Sequence, residues 1–164
     1  MKRKVYPLLA CILGAGLLTA AAQDESLASR ITPKTFNLDS GVWTASSDFG
    51  TTRGGYSIGG AAYWSEHVGL GLEARSLAAG GVWCETLHAR LLVRCPLTSG
   101  FSLIPYAGRI RQWELREYGL EAGVRAEQKL YRALAIYGQV GWQKLLDAEA
   151  PHEAIAGVGL TVSF

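Results

Sequence analysis

Lysine is scarce in this chain: beyond residue 22 only Lys34, Lys129 and Lys144 remain. A water-facing surface normally carries many Lys and Glu, so the shortage argues against an ordinary soluble exterior. Three Cys in 164 residues exclude a disulfide scaffold. The 20 Gly follow no fixed period, which excludes collagen, and a 49% hydrophobic content excludes a disordered chain. Beyond residue 22 no apolar run approaches the ~20 residues that a spanning helix needs. There is also no basic surplus to suggest nucleic acid. The formal charge of +2 includes Lys2, Arg3 and Lys4; without those three, the 16 basic residues fall to 13, against 14 acidic ones.

What is present begins with an address. Lys2, Arg3 and Lys4 form a positive start, residues 5–19 are apolar, and Ala20, Ala21 and Ala22 offer small residues for cleavage before Gln23. This is the layout of a secretory signal peptide over residues 1–22. The apolar run is too short, and too interrupted by Pro7, Gly14 and Gly16, to serve well as an anchor. Residues 23–40 are polar and lack a clear period, and they read as a flexible N-terminal segment. The remaining 41–164 form one domain's worth of chain.

That domain alternates in twos, the strand signal. Val68, Leu70, Leu72 and Ala74 oppose Gly69, Gly71, Glu73 and Arg75. Leu120, Ala122 and Val124 oppose Glu121, Gly123 and Arg125, and the last stretch alternates through Phe164. Six clear strands and two weaker ones, over about 41–49 and 102–111, make eight. In the second weak strand Pro105 suits a start or an edge better than a centre. No connection has room for a crossover helix, so neighbours run antiparallel. The expected fold is all-β: a closed, antiparallel, up-and-down transmembrane β-barrel with short loops.

Three features turn the apolar face outward to lipid. The polar face is Gly, Ala and Ser with charges interspersed, which suits a narrow interior. Glu73, Arg75, His88, Arg90, Arg109, Glu121, Arg125 and Glu127 are expected to form a lumen network there, because unpaired buried charge is costly. Aromatics stand near strand ends (Tyr56, Trp64, Trp83, Tyr106, Tyr118 and Trp142), the girdle position at a membrane interface. The apolar faces also have the ~9–11 residue length of a tilted spanning strand.

The closing stretch, with Val158, Leu160 and Val162 alternating up to a final Phe164, resembles the last strand of the small eight-stranded outer-membrane barrels. These include the membrane domain of outer-membrane protein A and outer-membrane protein X. The run Pro105, Tyr106, Ala107, Gly108 is similar to a strand opening common among them. The resemblance implies residence in the outer membrane, contact with its lipid, and a C-terminal signal at Val158, Leu160, Val162 and Phe164 read by the barrel-assembly machinery.

No catalytic, cofactor-binding or metal-binding constellation stands out. His67, His88 and His152 are scattered, without metal spacing and without a His-x-Ser pair. Cys84 and Cys95 bracket one strand, which places them roughly 36 Å apart, far beyond the ~7 Å of a disulfide. An eight-stranded barrel is just filled by its own side chains, so a general pore is not expected. The leading expectation is a monomeric structural or surface-contact barrel. The alternatives are a lipid-A-modifying barrel enzyme, and a secreted soluble barrel binding a small apolar ligand.

Overall fold

The computed structural model describes residues 32–47, 50, 52–79, 82–113, 117–146 and 152–164, with the side chains of 79, 82 and 83 also outside the described set. The expected signal peptide therefore lies outside the described residues, as do residues 23–31 of the expected N-terminal segment.

The strands are β1 (Thr35–Ser47), β2 (Thr52–Tyr63), β3 (Val68–Ala79), β4 (Val82–Val93), β5 (Cys95–Pro96), β6 (Phe101–Gln112), β7 (Tyr118–Tyr131), β8 (Leu134–Leu145) and β9 (His152–Ser163). Each pairs antiparallel with its neighbour, β1 pairs with β9, and both β4 and β5 pair with β6. Since β5 continues β4, the described residues form eight staves closed on themselves. Closure leaves no open edge, which a sheet in hydrocarbon requires.

Pro105 explains the break between β4 and β5. The pairing Leu92↔Tyr106 resumes as Cys95↔Leu103, so Pro105 stands opposite the gap. Contrary to expectation it lies mid-strand. Its missing N–H falls where the ladder is interrupted. Cys84 and Cys95 stand toward opposite ends of this stave and are not joined.

One rim carries the start of β1, the end of β9 and the turns 64–67, 97–100 and 132–133; we call it the chain-end rim. The opposite rim, the loop rim, carries the end of β1, the start of β9 and, among the described residues between strands, Gly50, Trp113, Glu117 and Leu146. Gly50, at φ +77°, adopts the left-handed region that glycine tolerates best and turns the chain between β1 and β2.

The first strand begins at Thr35, not near residue 41. Phe36, Leu38 and Val42 alternate outward against Asn37, Asp39 and Trp43, but outward Ser40 and Thr44 blur the pattern in sequence. A second correction concerns β6, whose faces are reversed. Ile104, Tyr106 and Ile110 are buried inside, while Arg109 and Arg111 are exposed outside. Arg109 therefore leaves the lumen network and Tyr106 leaves the girdle. The reason is packing: Gly108 sits opposite Arg90, and the Arg90 guanidinium lies over the Tyr106 ring at 4.6 Å.

The wall is inside-out relative to a soluble protein. Outward Leu38, Val42, Leu70, Leu91, Val140, Val158 and Leu160 are exposed, and inward Glu73, Arg75, His88, Arg90 and Glu121 are buried. Val140 shows 62% of its surface. In a bilayer Val140→Arg is expected to destabilise the barrel by about 2–4 kcal/mol, as for a cation near the midplane. Urea titration of the vesicle-inserted protein checks this; a change below about 0.5 kcal/mol is what a water-facing position would give.

Candidate functional site

Strand alternation projects two tiers of charge into the lumen. The central tier joins β3, β4 and β7. Glu121 accepts from Arg90 Nε at 2.7 Å and Nη2 at 3.1 Å, and its Oε2 lies 3.0 Å from His88 Nδ1 and 3.6 Å from Arg75 Nη2. Glu73 accepts from Arg75 Nε at 2.9 Å and from Arg90 Nη1. His88 Nε2 is 2.8 Å from Thr86 Oγ1. Two carboxylates thus face two guanidiniums, and every one of these side chains is buried. Arg75 Nη1 and Nη2 have no hydrogen-bond acceptor among the described residues, and the guanidinium instead lies 3.6 Å from the centre of the Trp43 ring, a desolvated cation–π contact.

The second tier lies toward the chain-end rim. Arg125 donates to Asp39 at 2.8 and 3.0 Å, to Glu127 at 3.1 Å and to Thr161. Arg94 donates to Glu127 at 3.2 Å. Here too rings carry the guanidiniums: Arg125 lies 3.8 Å from the Tyr137 centroid and Arg94 4.3 Å from that of Tyr63. Toward the loop rim, Glu153 accepts from Arg53 and from Gln143.

The inward glycines complete this arrangement. A Cβ on Gly157 would meet Trp43 Cδ2 at 2.6 Å, one on Gly41 would meet the Tyr137 hydroxyl at 2.5 Å, and one on Gly141 the Tyr106 hydroxyl at 2.5 Å. The Trp43 ring lies on bare backbone of the adjacent stave, and the Tyr137 and Tyr106 rings reach bare backbone two staves away, so large rings fit an otherwise narrow lumen. A cavity of about 40 Å³ remains near the loop rim, lined by Leu77, Cys84, Ile110, Gln143 and Glu153 among others. That is room for a few waters at most.

Of the expected lumen residues, Glu73, Arg75, His88 and Arg90 stand in or beside the central tier with Glu121, while Arg125 and Glu127 stand in the second. Sequence reasoning missed Asp39, Arg53, Arg94, Glu153 and the ring partners Trp43, Tyr63 and Tyr137. Asp39 fell in a stretch read as polar and aperiodic. The rings are signalled only by inward position opposite a glycine on the neighbouring stave.

Among the expected girdle residues, Tyr56, Tyr118 and Trp142 are exposed on the outside toward the loop rim, and Trp64 follows β2 at the chain-end rim. The Trp83 side chain lies outside the described residues. Trp113 and Arg111 extend the loop-side belt, the guanidinium 4.8 Å from the indole. Phe36, Tyr131 and Phe164 are exposed at the chain-end rim. Val158, Leu160, Val162 and Phe164 all face outward along β9 and its end. His67 sits in the 64–67 turn and His152 faces outward near the loop rim, where it accepts from Trp142 Nε1 at 3.1 Å.

No family model matches the chain, and no curated protein matches it. Solved structures do. Neisserial surface protein A superposes with a TM-score of 0.62 at 10% identity, covering 79% of this chain and 96% of that one. The N-terminal β-barrel domain of OprF from Pseudomonas aeruginosa gives 0.60 at 14% identity, covering 78% and 97%. De novo designed transmembrane β-barrels give 0.62 at 14% identity, covering 81% and 98%. At such identities the likeness is one of fold: this chain has the fold of the small eight-stranded transmembrane barrels.

Proposed function

We propose that this protein is an integral outer-membrane barrel with a structural or surface-contact role in the envelope, acting neither as a general pore nor as an enzyme. One observation carries the reading: the wall is apolar outside, while the lumen is closed by charged tiers and rings. Such a cylinder is solvated by lipid and leaves no continuous water path of solute size. The fold shared with envelope barrels supports the location. The short loops leave little room for an elaborate receptor, and the one hydroxyl–imidazole–carboxylate contact among the described residues, Thr86 with His88 and Glu121, is buried within the charged central tier of the lumen. The apolar set that an interior ligand-binding barrel needs is on the outside. The exposed edge of alternate residues through Phe164 is the feature that barrel-assembly machinery would read.

The test is fractionation with heat modifiability. The folded protein is expected in the outer-membrane fraction and to migrate differently in cold detergent than after boiling. Reconstituted in planar bilayers, it is expected to give no porin-sized conductance, and its expression is expected to leave the mass profile of lipid A unchanged. Recovery in the soluble periplasm without a mobility shift would reject the membrane reading. A new lipid A species would reject the non-catalytic one.

A further inference from the structure

The outer wall of the described strands is almost free of charge, and its exceptions gather toward the loop rim: three cations, Arg109, Arg111 and Lys144, and one carboxylate, Glu85 on β4. Arg109 on β6 pairs with Leu120 on β7, and Leu120 pairs with Lys144 on β8. Arg109 and Lys144 thus flank Leu120 on adjacent staves, with backbones about 10 Å apart. Arg111, one outward step nearer the loop rim, pairs with Tyr118 and lies against the rings of Trp113 and Tyr118 at 4.8 and 5.7 Å. Among the described residues no carboxylate forms an ion pair with any of the three. In the lumen, by contrast, every buried Arg is matched.

Below this cluster, past Trp142, the same two staves turn small. Outward residues on β7 run Leu120, Ala122, Val124, Ala126, and on β8 Lys144, Trp142, Val140, Gly138. Gly138 has open space where a side chain would stand. Around it the wall recedes into an apolar cleft of about 560 Å³, lined by Val42, Val124, Ala126, Gly138, Val140 and Val158 among others. From Leu120 to Ala126 the strand covers about 20 Å.

We infer that this face is a binding site for an anionic lipid, with its headgroup phosphate held among Arg109, Arg111 and Lys144 and one acyl chain laid down β7–β8 into the Gly138 cleft. The inference rests on the membrane reading above and adds to it a specific lipid partner. Charge complementarity selects the headgroup: three cations, none of them ion-paired among the described residues, outnumber the one outward carboxylate described nearby, Glu85 on β4, and at the level where lipid phosphates begin they attract an anion and repel a cation. Guanidinium and ammonium heads on long apolar stems suit this boundary. The cleft selects the chain. A smooth barrel wall packs against lipid anywhere, whereas a recess of this size, in line with the cations, holds one chain in one place.

Native mass spectrometry of the folded, detergent-solubilised full barrel tests it, using phosphatidylglycerol and phosphatidylcholine with identical long chains. One phosphatidylglycerol is expected to be retained at least tenfold more strongly than phosphatidylcholine. The triple variant Arg109→Gln/Arg111→Gln/Lys144→Gln is expected to abolish that preference. Gly138→Leu, which projects into open space, is expected to weaken the long-chain lipid several-fold while leaving a short-chain phosphatidylglycerol unaffected. Equal retention of the two lipids, or full retention by the triple variant, overturns the proposal. So does displacement by millimolar inorganic phosphate without any dependence on chain length, which would mark a plain anion site. The boiled-against-unboiled shift of the same samples reports separately whether the barrel is folded, so loss of the site is distinct from loss of the membrane reading.

Discussion

Glu121→Gln is expected to destabilise the barrel by about 3–5 kcal/mol, the cost of removing one partner from a buried ion-pair set. Glu121 is the only described carboxylate touching Arg90, Arg75 and His88 together. Its replacement leaves two guanidiniums sharing Glu73 in a space where water cannot screen them. The side chain keeps its size, so a packing defect does not confound the result. Urea unfolding in vesicles, read as the fraction of heat-modifiable band, measures it. Adding Arg90→Gln restores the count of charges, and the double variant is expected to lose less than the two single losses summed. A single-variant loss below about 1 kcal/mol would mean that the tier is solvated like a surface pair.

Gly157→Val is expected to damage the barrel by a different route. The Trp43 indole lies flat on Gly157, with Cδ2, Cε3 and Cε2 all within 2.6 to 2.8 Å of any added Cβ. The indole has little freedom to retreat. Its Nε1 donates to Ser57 Oγ at 2.6 Å, and the Arg75 guanidinium covers it at 3.6 Å. Overpacking of this kind costs about 1–3 kcal/mol, and displacing the indole would also expose Arg75. The variant is expected to appear largely as the unshifted, unfolded band at urea concentrations where the parent is folded. Combining it with Trp43→Ala is expected to remove most of the added penalty, since the ring it strikes is gone. Simple additivity would overturn the ring-on-glycine account.

The architecture was legible in the sequence because a period of two survives wherever one face meets lipid. Val68 to Ala74 and Val158 to Val162 show it cleanly, since hydrocarbon accepts only apolar partners there. The pattern failed where the lumen itself wanted apolar groups. In β6, Ile104, Tyr106 and Ile110 fill the interior beside arginines, and outward Arg109 and Arg111 complete a reversal that hydrophobicity alone reads backwards. In β1, inward Trp43 and outward Ser40 did the same on a smaller scale. Which charge meets which was not legible, because a lumen contact such as Asp39 with Arg125 crosses 86 residues and depends on closure. The role of the glycines was half legible. Small residues implied a tight interior, but only the register puts Gly157 beneath Trp43.

The tiers also divide the chain into two complementary halves. The ion-paired inward side chains of β1–β4 are Arg53, Arg75, Arg90 and Arg94 against Asp39 and Glu73; those of β6–β9 are Glu121, Glu127 and Glu153 against Arg125 alone. Leaving His88 aside, the first half-sheet is two charges positive and the second two charges negative on the surfaces that come to face each other. The two half-sheets therefore attract each other across the lumen that the β1–β9 seam closes. A seam slipped by two residues, which keeps every side chain on its proper face, would set these charges against the wrong partners. Electrostatic matching across the lumen thereby proofreads a register that hydrophobicity leaves degenerate.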